Sequence, residues 1–119
     1  MRVTCLRNGL LTACQVINQV IPSRTSIPVY KCIKAIAEGN TFILMGTDLE
    51  VGIRYELRGI HLEEPGQAIL PTDRLINILR ESGEGDVLID ADDRRTQVNV
   101  NRSEYEMPSG DPATFADVS

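Results

Sequence analysis

The side chains able to do acid-base, covalent or metal chemistry are few and widely spaced. His61 is the sole histidine. It precedes Glu63-Glu64-Pro65-Gly66 with no cysteine near it in sequence, so an ordinary zinc site lacks a second ligand and a surface histidine is the simpler reading. Asp86, Asp90, Asp92 and Asp93 cluster around one turn but lack EF-hand spacing, and a hairpin tip is commonly acidic because water solvates it. Asp48 and Glu50, in Thr47-Asp48-Leu49-Glu50, are the one carboxylate pair placed to share a metal at a strand start. Glu50, however, falls in the water-facing set of its strand, and Asp48 suits a turn in which it accepts backbone N–H groups. No G-x-S-x-G elbow and no glycine-rich phosphate loop occurs. Cys5, Cys14 and Cys32 are odd in number and lie in apolar stretches, as small core residues of a reducing compartment do. The residues call for no catalytic group, no metal and no cofactor.

The elements that must position these side chains read as one unit used twice. Met1 to Leu6 has the character of a first strand. Asn8 can cap a helix in which Leu10, Cys14, Ile17 and Ile21 recur at helical spacing, while Thr12, Gln15 and Gln19 line the other side without an acid. Pro22 ends that helix, and Ser23 to Pro28 forms a polar loop displaying Arg24. Tyr30 to Ala37 reads as a strand, Glu38-Gly39-Asn40 as a turn, and Thr41 to Met45 as the returning strand. Leu49, Val51, Ile53, Tyr55 and Leu57 then alternate with Glu50, Gly52, Arg54, Glu56 and Arg58, the pattern of a strand with one wet face.

After Gly59 the order begins again. Gln67 to Leu70 is a short strand, Thr72 can cap a second helix with Leu75, Ile76, Ile78 and Leu79 as its stripe, and Val87, Ile89 and Ala91 alternate as a strand. Asp92-Asp93-Arg94 turns the chain into Val98 and Val100, and Tyr105 and Met107 close the set. Laying Cys5-Leu6 on Ile69-Leu70 puts Leu11 on Leu75, the signature of an internal duplication. The expected fold class is α+β, with both helices on one face of a continuous antiparallel sheet. Residues 1–119 form a single domain, and the aperiodic tail 108–119 resembles a linker leaving it.

Composition narrows the function. At 42% hydrophobic and 24% charged residues the chain is an ordinary globular domain. Aromatics at 4%, with no Trp, argue against stacking on unpaired bases. The formal net charge is −5, which disfavours phosphate binding in bulk, but its distribution is uneven. Up to Ala37 there are five basic residues, Arg2, Arg7, Arg24, Lys31 and Lys34, and no acid; beyond it stand seven basic and seventeen acidic residues. That asymmetry suggests one cationic face on an acidic body. No apolar run is long enough for a signal peptide or membrane span, so a cytoplasmic location is expected, with no membrane partner.

These residues resemble the first domain of the bacterial DNA polymerase III beta subunit, the sliding clamp. The likeness is carried by Met-Arg-Val-Thr at the start, Leu10-Leu11, Arg24 followed by Ile27-Pro28, Gly46-Thr47-Asp48-Leu49-Glu50, Glu64-Pro65-Gly66, Pro71, Leu75, Arg80 and Arg102-Ser103-x-Tyr105. It spans essentially the whole chain. The resemblance implies the first of three similar domains in a subunit that closes as a head-to-tail homodimer ring around duplex DNA. Helices would line the hole, and the ring would tether the polymerase without catalysis or cofactor, with polymerase and clamp-loader subunits as partners. It further implies DNA contacts at Arg24, Arg74, Arg7 and Arg80, where the family's arginine at the start of the second helix matches Asp73 directly and Arg74 by one step. It implies a ring interface at Leu75, Ile78, Tyr105 and Met107. The family's proline after the aromatic near the domain end is absent, since Ala116 follows Phe115. The competing reading is a self-contained protein-interaction module that adds strands through the edge near Tyr105 and never meets DNA.

Overall fold

The computed structural model describes residues 1–116. Each repeat runs strand, helix, then three strands. The first has β1 (Arg2–Leu6), α1 (Arg7–Asn18), β2 (Cys32–Glu38), β3 (Thr41–Thr47) and β4 (Gly52–Leu57). A short strand in the connection, β5 (His61–Glu64), precedes the second, with β6 (Gly66–Pro71), α2 (Thr72–Glu81), β7 (Asp86–Ala91), β8 (Arg95–Val100) and β9 (Ser103–Pro108). The α+β layering and the two helices match expectation. The strands, however, form two antiparallel sheets, one ordered β5-β1-β7-β8-β9 and the other β4-β3-β2-β6, in place of a continuous one. Each repeat gives its first strand to the other repeat's sheet: β1 pairs with β7, and β6 with β2.

Alternation decides which face of each strand meets the helices. On β2, Ile33, Ala35 and Ala37 are buried in the main core with Leu10, Ala13, Cys14 and Ile17 of α1 and Leu75, Ile76 and Leu79 of α2. Fully burying one such Leu or Ile is worth about 1.5–3 kcal/mol. The alternate residues of this sheet, Ile43, Met45 and Ile69, build a smaller cluster on its opposite face with Tyr30 and Phe115. Gly46 is required where β3 meets α1, because a Cβ there would lie 2.4 Å from Ile17 Cγ2. Burial pushes the thiols of Cys5 and Cys14 up to about 12, with minor help from Asp86 for Cys5, so both stay protonated as core residues.

Several boundaries differ from the sequence reading. The first helix opens at Arg7, after an extended Leu6 with no side-chain cap, so Asn8 is inside it. The second opens at Thr72 after Pro71, and the buried Thr72 hydroxyl has no hydrogen-bond partner among the described residues. Aligning the two helix starts makes the repeat interval one residue longer than the strand alignment suggests. It sets Leu10 on Leu75 and Cys14 on Leu79, all four completely buried. Pro28–Lys31 is a 3₁₀ turn, and β2 starts only at Cys32. Leu49 and Val51 are 59% and 56% exposed, because β4 begins after them. The apparent alternation runs through a turn, with Leu49 at a φ of 80°.

Up to Ala116 the tail packs on the body. Ser109 N–H donates to Arg94 O at 3.2 Å, Asp111 caps a turn over Pro112–Thr114, and Phe115, 4% exposed, stacks obliquely on Tyr30 with ring centroids 5.4 Å apart. The tail's last three residues, 117–119, lie outside the described residues.

Candidate functional site

Antiparallel α1 and α2 form the helix layer. The Arg7 guanidinium donates to Ser82 O at 2.5 Å and to Asn8 Oδ1 at 2.7 Å, joining the start of one helix to the end of the other. The exposed side chains of α1 are Asn8, Thr12, Gln15 and Asn18, a polar surface without a carboxylate. On α2 the exposed set mixes signs: Asp73, Arg74, Asn77, Arg80 and Glu81. Arg24 is exposed in the loop after α1.

The four arginines expected to meet DNA do not lie together. Among the described residues Arg24 and Arg80 make no ion pair or side-chain hydrogen bond. Arg80 sits in the last turn of α2, where the helix dipole favours a cation. Arg7 is half-buried and held by Ser82, so its guanidinium serves the helix junction. Arg74 lies beside Ile78, Tyr105 and Met107 in a shallow groove, at the sheet edge. It is Asp73 that shares a recess with Asn18, Ile21, Ser23 and Lys31 at the end of α1, on the side of the Arg24 loop.

The single cationic face suggested by charge counting does not form. Arg2 spans Glu63 at 2.6 Å and Asp90 at 2.7 Å across three strands. Lys34 alternates with core residues of β2 and lies on the face away from the helices. Position along the chain does not set the side of a strand; the period of two does. Only Arg24 and Lys31 of the five remain exposed near the end of α1.

At the opposite end, β9 hydrogen-bonds among the described residues to β8 alone, leaving one backbone edge open. Of the four residues expected to form a ring contact, Leu75 is 0% exposed and serves the core, because the stripe that packs on the sheets runs through it. Ile78 and Tyr105 are half-buried and present partial apolar surface beside that edge. Met107, 3% exposed, forms the floor between them. Glu104 and Glu106 flank the groove, and Arg95 pairs with Glu106 at 2.5 Å.

The carboxylates considered for metal chemistry have structural roles. Asp48 Oδ1 accepts the N–H groups of Val51 at 2.7 Å and Glu50 at 2.9 Å, and those bonds, Val51 first, hold its carboxyl below the usual range. Thr47 Oγ1 accepts from Leu49 N–H at 2.9 Å and donates to Val51 O at 3.0 Å. Asp92 repeats the device, accepting from Arg94 and Arg95 N–H at 2.8 Å each, which lowers its carboxyl too. Among the described residues no three or more His, Cys, Asp or Glu side chains converge to hold a metal. His61 is exposed on β5 opposite Thr4. No helix of the described residues is long and apolar enough to cross a membrane.

Sequence reasoning missed the placement of Asp73 and the Tyr30–Phe115 pair. A helical wheel would have turned Asp73 away from Arg74; no local signal joins residues 30 and 115.

Comparison with known proteins gives a consistent result. Residues 1–118 match the family model for the DNA polymerase III beta subunit, N-terminal domain. The beta sliding clamp of Pseudomonas putida is 31% identical over 107 residues, covering 88% of this chain and 29% of that protein. The beta sliding clamp of Caulobacter vibrioides is 32% identical over 111 residues, covering 91% and 30%. The solved structure of Caulobacter crescentus pol III beta superposes with a TM-score of 0.93 at 31% identity, over 100% of this chain and 32% of that one. The chain thus spans about 30% of the length of the relatives it matches. The fold, the duplication and the match over nearly every residue place this chain in the DNA polymerase III beta subunit family, as its N-terminal domain.

Proposed function

We propose that the domain is one segment of a sliding clamp, a ring that encircles duplex DNA and keeps the replicative polymerase on it. In this reading the full-length subunit contains three such domains and closes head to tail with a second copy in the cytoplasm. It makes and breaks no covalent bond and needs no cofactor. Clamp-loader and polymerase subunits engage parts of the protein outside this chain. The observation that carries the reading is the acid-free outer face of α1, with the unpaired Arg24 in the loop beyond it.

The physics favours such a lining. Each phosphate neutralised adds about −0.9 to the salt slope of binding, so a strongly basic hole would grip the duplex and stall movement along it. Hydroxyl and amide side chains with a few mobile arginines let the backbone pass on water-mediated contacts that carry no base information. Arg24 and Arg80 are the contacts best placed for this. Arg74, in the edge groove, belongs with Ile78, Tyr105 and Met107 as ring-edge surface, and Arg7 supports the layer from within.

The test is retention of the full-length ring on nicked circular DNA as salt is raised. Arg24→Glu shortens retention and shifts the loss to lower salt, while Arg7→Lys changes stability more than retention. Retention of Arg24→Glu identical to the parent across the salt series removes the helix face from the DNA path. The self-contained interaction module is not favoured: its edge-strand contact is equally a property of a ring segment.

A further inference from the structure

The two sheets share no backbone ladder, so their relative angle is set by whatever packs across them. On the helix side that is the main core, where α1 and α2 touch residues of both sheets. At one end of the sheets the situation is different. A cleft of about 700 Å³ opens between Gly66, Gln67 and Ala68 of one sheet and Met1, Ala91 and the Asp92-Asp93 turn of the other. Residues Ser109 to Pro112 close it from the side. At one point of this end the sheets meet directly, where Gly66 lies against Met1 and an added Cβ would come within 3.2 Å of it; along the rest of the cleft they stand apart.

The segment from Ser109 to Ala116 crosses this gap and is fixed at both ends. On the β7–β8 side, Ser109 N–H donates to Arg94 O and the Ser109 hydroxyl meets Thr96 Oγ1 at 3.1 Å. On the other sheet Gly110 lies against Ile69, where an added Cβ would come within 3.0 Å of that side chain. Phe115 is then buried against Tyr30, and the Tyr30 hydroxyl accepts the Ala116 N–H at 3.2 Å. A passive surface cover would need only the apolar contact; this segment is anchored to both sheets and lines two clefts that open between them.

We infer that Ser109–Ala116 is a tie between the two sheets, latched by Phe115 on Tyr30, which fixes the angle between them and, when released, lets the sheets splay about the helix layer. The inference concerns motion within the domain and stands whether or not the chain forms part of a ring.

The test places spin labels at Asn40→Cys, in the turn of one sheet, and Asp93→Cys, in the turn of the other, with Cys32→Ser to silence the half-buried thiol. Cys5 and Cys14 are protected by burial. Pulsed dipolar distances are read beside amide exchange, and folding is checked by circular dichroism. The parent gives one narrow distance distribution. Phe115→Ala broadens it and speeds exchange of the Phe115 and Ala116 amides roughly tenfold or more, while Phe115→Leu recovers most of the narrowness. Tyr30→Phe, which keeps the ring stack and the fold, speeds exchange at Ala116 alone. Freed amides with an unchanged distance distribution would reduce the segment to a cover, and unchanged exchange in Phe115→Ala would show that Phe115 is no latch; either overturns the inference.

Discussion

The two repeats are close copies inside and different outside. Leu10 and Cys14 of α1 occupy the places of Leu75 and Leu79 of α2, all completely buried. The last strands repeat a three-residue pattern, Tyr55-Glu56-Leu57 in β4 and Tyr105-Glu106-Met107 in β9, with the tyrosine half-buried, the glutamate exposed and the third residue buried in both. The outward surfaces diverge: α1 shows amides and a hydroxyl, whereas α2 shows two acids, two arginines and an amide. Duplication therefore accounts for the core, and what a segment does must be read from the positions where the copies differ.

The largest effect expected from this comparison is on stability. Leu10→Ala and Leu75→Ala should each cost about 2–5 kcal/mol in urea unfolding, and the two should agree closely. A large cost at one site with a small cost at the other would break the equivalence of the cores. Next in size is association. In the full-length protein Tyr105→Ala should weaken self-association by about 2 kcal/mol, measured by sedimentation, while Tyr55→Ala leaves it unchanged. Equal effects would mean that the copies have not diverged at their edges.

The smallest effect separates the Asp48 turn from the matching Asp92 turn. Both carboxyls are held below their ordinary pKa in the folded chain by backbone N–H groups. A depressed folded pKa contributes stability above the unfolded value and loses it as pH falls through the folded one. Asp48→Ala and Asp92→Ala should therefore lower Tm at neutral pH, and both gaps should narrow as the solution is acidified through the carboxylate range. The Asp48 variant should lose more, since Leu49 beside it is held at positive φ, which a branched residue resists. A gap that stays constant with pH would assign the loss to side-chain packing.

What the sequence made legible follows from the range of each signal. The β7–β8 hairpin was readable because Val87, Ile89 and Ala91 and then Val98 and Val100 alternate on either side of Asp92-Asp93-Arg94, all local features. The helices were readable from their stripes, though not their first residues, because neither uses a side-chain cap. At Leu49 and Val51 the period of two continued by coincidence through a turn held by Thr47 and Asp48. Which strand pairs with which, and the meeting of Phe115 with Tyr30, depend on contacts remote in sequence that no periodicity encodes. For the candidate site, exposure of Arg24 followed from its loop, while the inward turn of Arg7 and the separation of Asp73 from Arg74 required the helix orientation.

The exchange of first strands between repeats has a consequence for the chain's history. A lone ancestral copy would have had its opening strand facing away from its own sheet and toward a second copy's. Such a unit would complete itself only as an intertwined pair, and the present domain has the topology of such a pair joined end to end by the β5 connection. Severed at Gly59, each half would again lack the strand that finishes its sheet, and each would carry the piece the other needs.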